Sequence, residues 1–253
     1  HAKVIIHTKK GSRKTARILP LFGGLTISPM MLYDSGEVCN SMIRGVIFDV
    51  GGVIVRTHDQ GGRRKWEQRL GLEAGDLARL VFDSELARKA QLGKASAGDV
   101  WAWLQADWGL DSRGLAALQS DFWSGDQVDQ SLCDHIRAWH HHYRTAMLSN
   151  AWSTDGRAMA ERLGVADCFD VFVTSAEVGV MKPDAHIYHV VLERLGIAPA
   201  EAIFVDDFIQ NVEAARRLGM QAVHFVDPVA ARRELEAHLG GISILGSGSG
   251  DGS

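Results

Sequence analysis

Five short apolar runs punctuate the chain: GVIFD (45–49), RTAMLS (144–149), DVFVTS (170–175), AIFVDD (202–207) and QAVHFV (221–226). Runs of this length, rich in Val, Ile and Phe and lacking polar alternation, are the pattern of strands buried on both faces of a parallel sheet. Helical segments separate the last four. STDGRAMAERLG (153–164) opens on Ser and Thr capping candidates and closes on Gly. PDAHIYHVVLERLG (183–196) carries Pro at its first turn and Gly at its end, and FIQNVEAARRLG (208–219) also ends on Gly. Proline pre-sets the backbone angle of a first helical turn, and glycine accepts the left-handed conformation that ends a helix. The alternation predicts an α/β domain, a Rossmann-like parallel sheet with right-handed crossovers.

The interval between the first two strands is too long for a simple crossover. Its sequence reads as helix throughout: RRKWEQRLGL, GDLARLVFDSELARKAQLG, SAGDVWAWLQADWGL and SRGLAALQSDFWSG, with strand signals nearly absent. Residues 58–130 are therefore expected to form a helical insertion over the carboxyl edge of the sheet, where ligands of open α/β sheets bind. Residues 42–57 and 131–240 form the core.

Composition excludes several functions. The 253 residues are 46% hydrophobic and 23% charged, an ordinary globular balance. A net charge of -4 offers no basic face for nucleic acid. No run approaches the ~20 apolar residues of a membrane span. Cys39, Cys133 and Cys168 are far apart and form no C-x-x-C pair, which argues against a disulfide framework or structural zinc and for a reducing, cytoplasmic setting. Residues 1–41 show no clear period, carry no acid before Asp34 and lack the features of a secretory signal. They read as an N-terminal extension without regular order, the domain opening near Met42. Residues 241–253, ending GSGSGDGS, read as a flexible tail.

Chemistry-bearing residues stand at the strand ends. Asp49 follows the first strand, and Ser149 and Asn150 follow the second. Lys182 precedes the helix after the third. Asp206 and Asp207 end the fourth, with Asn211 one helical turn on. Parallel strands all point the same way, so these scattered residues converge on one crevice. A nucleophilic carboxylate, a hydroxyl, a lysine and an acid pair suit a phosphoryl group with Mg²⁺, a hard cation that takes oxygen ligands. Adjacent acids at a buried strand end repel and ask for a cation. Two features have plainer readings. His140, His141 and His142 in WHHHY are consecutive, cannot face one point on a helix, and mark a solvated helix end. Trp66, Trp101, Trp103, Trp108 and Trp123 read as the insertion's own core.

The segments VIFDVGGVIV, MLSNAW, GVMKPDAHIY and IFVDDFIQN, in that order and each at a strand end, resemble the four motifs of the haloacid dehalogenase superfamily of aspartate-nucleophile hydrolases. The likeness covers residues 43–240, and the insertion resembles that superfamily's C1-type cap. Within it, the chain is similar to small-molecule phosphatases whose first motif reads D-x-G-x-V, such as glucose-1-phosphate phosphatases and the N-terminal phosphatase domain of soluble epoxide hydrolases. The resemblance implies a Mg²⁺-dependent hydrolase of a small phosphorylated metabolite. It makes Asp49 the nucleophile that forms an aspartyl-phosphate, with Lys182 paired to it. It makes Ser149, Asn150 and Lys182 phosphate-binding. It makes Asp49, the backbone carbonyl of Gly51 and Asp207 metal ligands, Asp206 a shared or supporting one, and Asn211 a supporting residue.

One position departs from the common D-x-D form. Gly51 stands where a second Asp would protonate the leaving oxygen and then activate water, a role worth about 10²–10⁴-fold. Three readings stay open: a phosphatase that finds its proton elsewhere, with His58, Asp59 and Asp206 as candidates; a 2-haloacid dehalogenase-type hydrolase, since halide leaves without a proton; or a non-catalytic phosphate-binding protein. The first fits best, because the other motifs are intact.

Overall fold

The computed structural model describes residues 3–7, 13–17 and 42–239, which fall into two units divided at Met42. In the first, β1 (Lys3–His7) and β2 (Arg13–Arg17) pair antiparallel, Lys3 opposite Arg17. The rest of the expected extension and the expected tail lie outside the described residues.

The strands of the second unit are β3 (Gly45–Phe48), β4 (Val55–Thr57), β5 (Asp126–Val128), β6 (Arg144–Ser149), β7 (Val171–Thr174), β8 (Ala202–Asp206) and β9 (Gln221–His224). Five of them form one sheet in the order β7-β6-β3-β8-β9, with every neighbouring pair parallel. The five apolar runs are thus the five sheet strands, each within a residue or two of its expected end. The first strand lies at the centre. The chain builds outward to one side through β6 and β7, then crosses to β8 and β9 on the other. That reversal of winding opens a crevice at the carboxyl end of β3.

Eleven helices are present among the described residues: α1 (Gly61–Leu70), α2 (Asp76–Asp83), α3 (Glu85–Gln91), α4 (Ala97–Asp107), α5 (Ser112–Trp123), α6 (Gln130–Trp139), α7 (Gly156–Leu163), α8 (Ser175–Val178), α9 (Ala185–Leu195), α10 (Ile209–Arg217) and α11 (Pro228–His238). Side chains of β3 alternate between two apolar layers. Val46 and Phe48 pack with Leu132, Ile136 and Trp139 of α6, Ala160 of α7 and Leu235 of α11. Ile47 packs on the other face with Ile187 and Val191 of α9 and Val212 and Ala215 of α10. Gly164 and Gly196 end α7 and α9 in the left-handed conformation, as their positions in the sequence predict.

Helices α1 to α5 carry a third apolar cluster of their own, including Trp66, Leu77, Val81, Trp101, Leu104 and Phe122. Of the tryptophans expected there, Trp66 and Trp101 are buried, Trp103 and Trp108 pack partly buried against it, and Trp123 stays 41% exposed. The predicted helical stretch is therefore helical, but it is bounded by a feature the sequence did not announce. Strands β4 and β5 pair antiparallel, Val55 opposite Val128 and Thr57 opposite Asp126, so the chain leaves and re-enters the core as a two-stranded ribbon. These strands are three residues each and mostly polar, and the sequence offers no apolar alternation to find. Ion pairs stitch them instead: Arg56 to Asp129 and Arg63 to Asp126, both at 2.9 Å. Thr57 Oγ1 also donates to Asp126 at 2.6 Å.

The His triplet lies just past the end of α6, at the amino edge of the sheet, where the ring Nδ1 of His140 meets Thr145 Oγ1 at 2.9 Å. No helix among the described residues is long and apolar enough to cross a membrane. The thiols of Cys133 and Cys168 are free.

Candidate active site

The carboxyl ends of β3, β6 and β8 converge as the parallel sheet requires. Asp49 is the first residue beyond β3, its backbone amide held by Val205 O of β8 at 2.9 Å. Ser149 ends β6 and Asp206 ends β8. Lys182 reaches the same point from the segment between α8 and α9, and its peptide bond to Pro183 is cis. Asp49, Ser149, Lys182, Asp206 and Asn211 are all buried, although all are polar.

Burying charges is costly unless they are paired, and here they are. Lys182 Nζ lies 2.7 Å from Asp49 Oδ1 and 2.7 Å from Asp206 Oδ2, and it donates to Leu148 O at 3.2 Å. Asp206 is satisfied on every side. It accepts from the Asn211 amide at 3.0 and 3.1 Å and from the Phe208 backbone N–H at 2.8 Å. Asn211, placed by sequence among the supporting residues, thus fixes Asp206, and Asp206 fixes Lys182 against Asp49. Tyr188 extends the chain by donating its hydroxyl to Asn211 O at 3.0 Å.

Asp207 is different. Its Oδ1 is buried and has no hydrogen-bond partner. Oxygens of Asp49, Asp206 and Asp207 all lie within 4.8 Å of one another. Burial pushes the Asp49 carboxyl up to about 7, against the pull of Lys182 and with the help of Asp206. Burial and the neighbouring Asp206 push Asp207 up to about 6. Burial works against the Lys182 ammonium, but Asp49 and Asp206 outweigh it and raise its pKa. Three acids facing one lysine leave uncompensated negative charge. An all-oxygen cluster with one buried, unpartnered carboxylate oxygen fits a hard divalent cation.

The turn after Asp49 is shaped around Asp207. Ile54 and Val55 amides both return to Val50 O, and the Gly52 amide donates to Val55 O at 2.8 Å. Gly52 has φ +78°, and a Cβ there would run into the Asp207 carboxylate, so only glycine serves. Gly51 has no such constraint: a Cβ would meet nothing within 4 Å, and the residue is exposed. The ionisable groups that act on Asp49 are Lys182, Asp206 and Asp207. His58 and Asp59 are exposed, and Asp59 turns its carboxylate to the Gly61 amide at 2.8 Å.

Asn150 does structural work. Its Oδ1 accepts from the Lys182 amide at 2.8 Å and its Nδ2 donates to Lys182 O at 3.1 Å, so it clamps the lysine's backbone to the end of β6. Ser175 completes this support by accepting from the Ala151 amide at 3.0 Å. Ser175, which the sequence places at the end of a strand run, opens α8, and Tyr188 lies on α9. Gly52 is the second of the two glycines in the Asp49-Val50-Gly51-Gly52 turn, a signal the sequence does offer. Trp152, three residues past Ser149, joins the helical insertion's cluster, its ring 5.9 Å from Phe82 and 6.3 Å from Trp101.

A sequence model described as haloacid dehalogenase-like hydrolase matches residues 43–219. A sesquiterpene phosphatase of Aspergillus oryzae is 28% identical over 200 residues, 78% of this chain and 97% of the relative. The fructose-1-phosphate phosphatase of Escherichia coli is 26% identical over 71% of this chain and 94% of its own length. The bifunctional epoxide hydrolase 2 of Mus musculus is 33% identical over 39% of this chain, which spans only 18% of that larger protein. In fold, the chain superposes with TM-score 0.59 on a HAD family enzyme of Bacteroides thetaiotaomicron in complex with magnesium and inorganic phosphate, at 19% identity over 71% of this chain and 92% of that one. It superposes with TM-score 0.53 on the L-2-haloacid dehalogenase of Xanthobacter autotrophicus, at 23% identity over 78% and 83%. With the model matching residues 43–219 and the strand order, the Asp49 turn, Lys182 and the acid pair in place, the chain belongs to the haloacid dehalogenase-like hydrolases.

Proposed function

We propose that this chain is a Mg²⁺-dependent phosphatase of a small phosphorylated molecule, acting through an aspartyl-phosphate on Asp49. The observation that carries the reading is the buried cluster of Asp49, Asp206 and Asp207 with oxygens within 4.8 Å, joined by Lys182 and leaving Asp207 Oδ1 unpartnered. Relatives named as phosphatases of a sesquiterpene and of fructose-1-phosphate support the reaction class. Asp49, Asp207 and the backbone carbonyl of Gly51 would hold the cation. Bound there, it supplies positive charge that offsets the carboxylates and the phosphate.

Asp49 attacks phosphorus in line with the departing oxygen. Lys182 holds the Asp49 carboxylate in place and contributes charge to the phosphoryl oxygens. Ser149 binds a phosphoryl oxygen through its hydroxyl. Asp206 and Asn211 act through Lys182, and Asn150 through the lysine's backbone. Residues 58–130 act as a cap that excludes water during transfer. The partner read here is a small phosphorylated substrate, with neither nucleic acid nor membrane involved, in a cytoplasmic setting.

The test is phosphate release from p-nitrophenyl phosphate with and without Mg²⁺. The proposal requires release that depends on the metal and is lost in Asp49→Asn with the circular-dichroism spectrum unchanged. Undiminished turnover in that variant would sink the mechanism, and halide release in place of phosphate release would reassign the reaction.

A further inference from the structure

The segment that follows β6 serves two regions within four residues. Ser149 ends the strand at the site, and Asn150 clamps the backbone of Lys182 with bonds of 2.8 and 3.1 Å. Ala151 is held on both sides by the Ser175 hydroxyl, which accepts from the Ala151 amide at 3.0 Å and donates to its carbonyl at 3.3 Å. Trp152 then joins the apolar cluster of α1 to α5 rather than either layer of the sheet. Its ring lies 5.9 Å from Phe82 in the last turn of α2 and 6.3 Å from Trp101 in α4, edge-on to the latter at 84°.

A second contact stands beside the first. Ala176 follows Ser175, and the turn after α3 comes so close to it that a Cβ at Gly93 would run into Ala176 O. Gly93 also has φ +69°, so glycine is required there on both counts. The two contacts are tied within the insertion, since Gln91 Nε2 donates to Phe82 O at 2.6 Å. The insertion therefore touches the core at Trp152 and Ala176, the neighbours of the two residues, Ala151 and Ser175, that bond each other. Ser149 to Trp152 spans at most about 11 Å of chain. With Asn150 and Ala151 each fixed by two hydrogen bonds, the segment has no slack, and a shift at Ser149 is passed on to Trp152.

We infer that Trp152 is a positioning residue that couples the phosphate site to helices α1 to α5: phosphate on Ser149 fixes the 149–152 segment, and that segment seats the Trp152 ring against Phe82 and Trp101. The inference rests on the phosphatase reading above, in which Ser149 binds a phosphoryl oxygen. Coupling between two sites is reciprocal. Whatever phosphate contributes to seating the ring, the seated ring returns as affinity for phosphate.

The experiment uses the full chain with saturating Mg²⁺ and inorganic phosphate. Calorimetry gives the phosphate Kd, and hydrogen exchange follows the amides of α2 and α4 with and without phosphate. In the unaltered protein, phosphate should slow exchange in both helices. In Trp152→Ala the Kd should rise by about 5-fold or more, the low end of site-to-site couplings, and the slowing should vanish. Trp152→Phe keeps a ring and should retain most of both effects. Phe82→Ala should also raise the Kd, and the double variant should be no worse than Trp152→Ala alone, because both remove one contact. If Trp152→Ala does not fold, Trp152→Leu takes its place with the same readouts. A tryptophan that only fills space would speed exchange equally with and without phosphate and leave the Kd unchanged. That result, or additive effects on Kd in the double variant, would overturn the inference and leave the phosphatase reading standing. No phosphate binding by the unaltered protein would overturn both.

Discussion

Lys182 is the residue on which the site's electrostatics turn. Its ammonium, 4% exposed, touches two buried carboxylates at 2.7 Å each. Removing one partner of a buried ion pair leaves the other uncompensated, at a cost of about 3–5 kcal/mol. Lys182→Met is expected to lower unfolding stability by that order, measured by urea titration, and to abolish phosphate release. Gly52→Ala tests the turn: its φ of +78° and the Asp207 carboxylate against it leave no place for a methyl. The expected loss is about 1–3 kcal/mol, with a weakened response to Mg²⁺. Asp49, Ser149, Asp206 and Asp207 were legible because each sits at the end of an apolar run, and strand direction alone brings such ends together, whereas Lys182 and Asn211 lie on the segments that follow. What was illegible is the distribution of work among them. Whether Asn150 contacts ligand or holds Lys182, and whether Asp206 or Asp207 keeps an oxygen free, depends on side-chain directions that no spacing encodes.

At the level of elements, the ribbon of β4 and β5 is the sole two-stranded antiparallel connection between the core and helices α1 to α5 among the described residues. Asp129 anchors it twice: its Oδ2 pairs with Arg56 at 2.9 Å and its Oδ1 caps α6 through the Leu132 amide at 2.9 Å. Asp129→Ala removes both, and a lost cap alone costs about 1 kcal/mol. The midpoint of urea unfolding should fall accordingly. Asp99→Ala in α4 is a milder comparison. There the capping box of Ser96 and Asp99 is exposed, and a smaller shift is expected. Helix ends were readable from Ser, Pro and Gly, whereas the ribbon was not, since its strands are held by ion pairs between residues 56 and 129 and between 63 and 126.

The whole molecule should feel the acid cluster as pH changes. Asp49 and Asp207 have folded-state pKa values of about 7 and about 6, above the ordinary 3.8. In metal-free protein these groups bind more protons folded than unfolded between those limits. The stability they contribute is complete below pH 3.8 and is lost as pH rises through about 6 and about 7. A divalent cation bound by those carboxylates would replace the protons and reverse the loss. The rise in Tm caused by Mg²⁺ should therefore be larger at pH 8 than at pH 5, checked by thermal scans at matched ionic strength. A rise independent of pH would place the metal elsewhere. The α/β architecture was plain in the sequence because buried parallel strands must be short, apolar and separated by helices. The packing of Trp152 on Phe82 was not, because it joins segments far apart in the chain.

The most direct test of the account is to mix enzyme, Mg²⁺ and phenyl phosphate, quench in acid during turnover, and weigh the peptide that contains Asp49. Gly51 supplies no base to activate water, so the aspartyl-phosphate should accumulate. The account predicts one phosphoryl group on that peptide, located at Asp49 and absent from Asp49→Asn. Steady phosphate release with Asp49 never modified would contradict it.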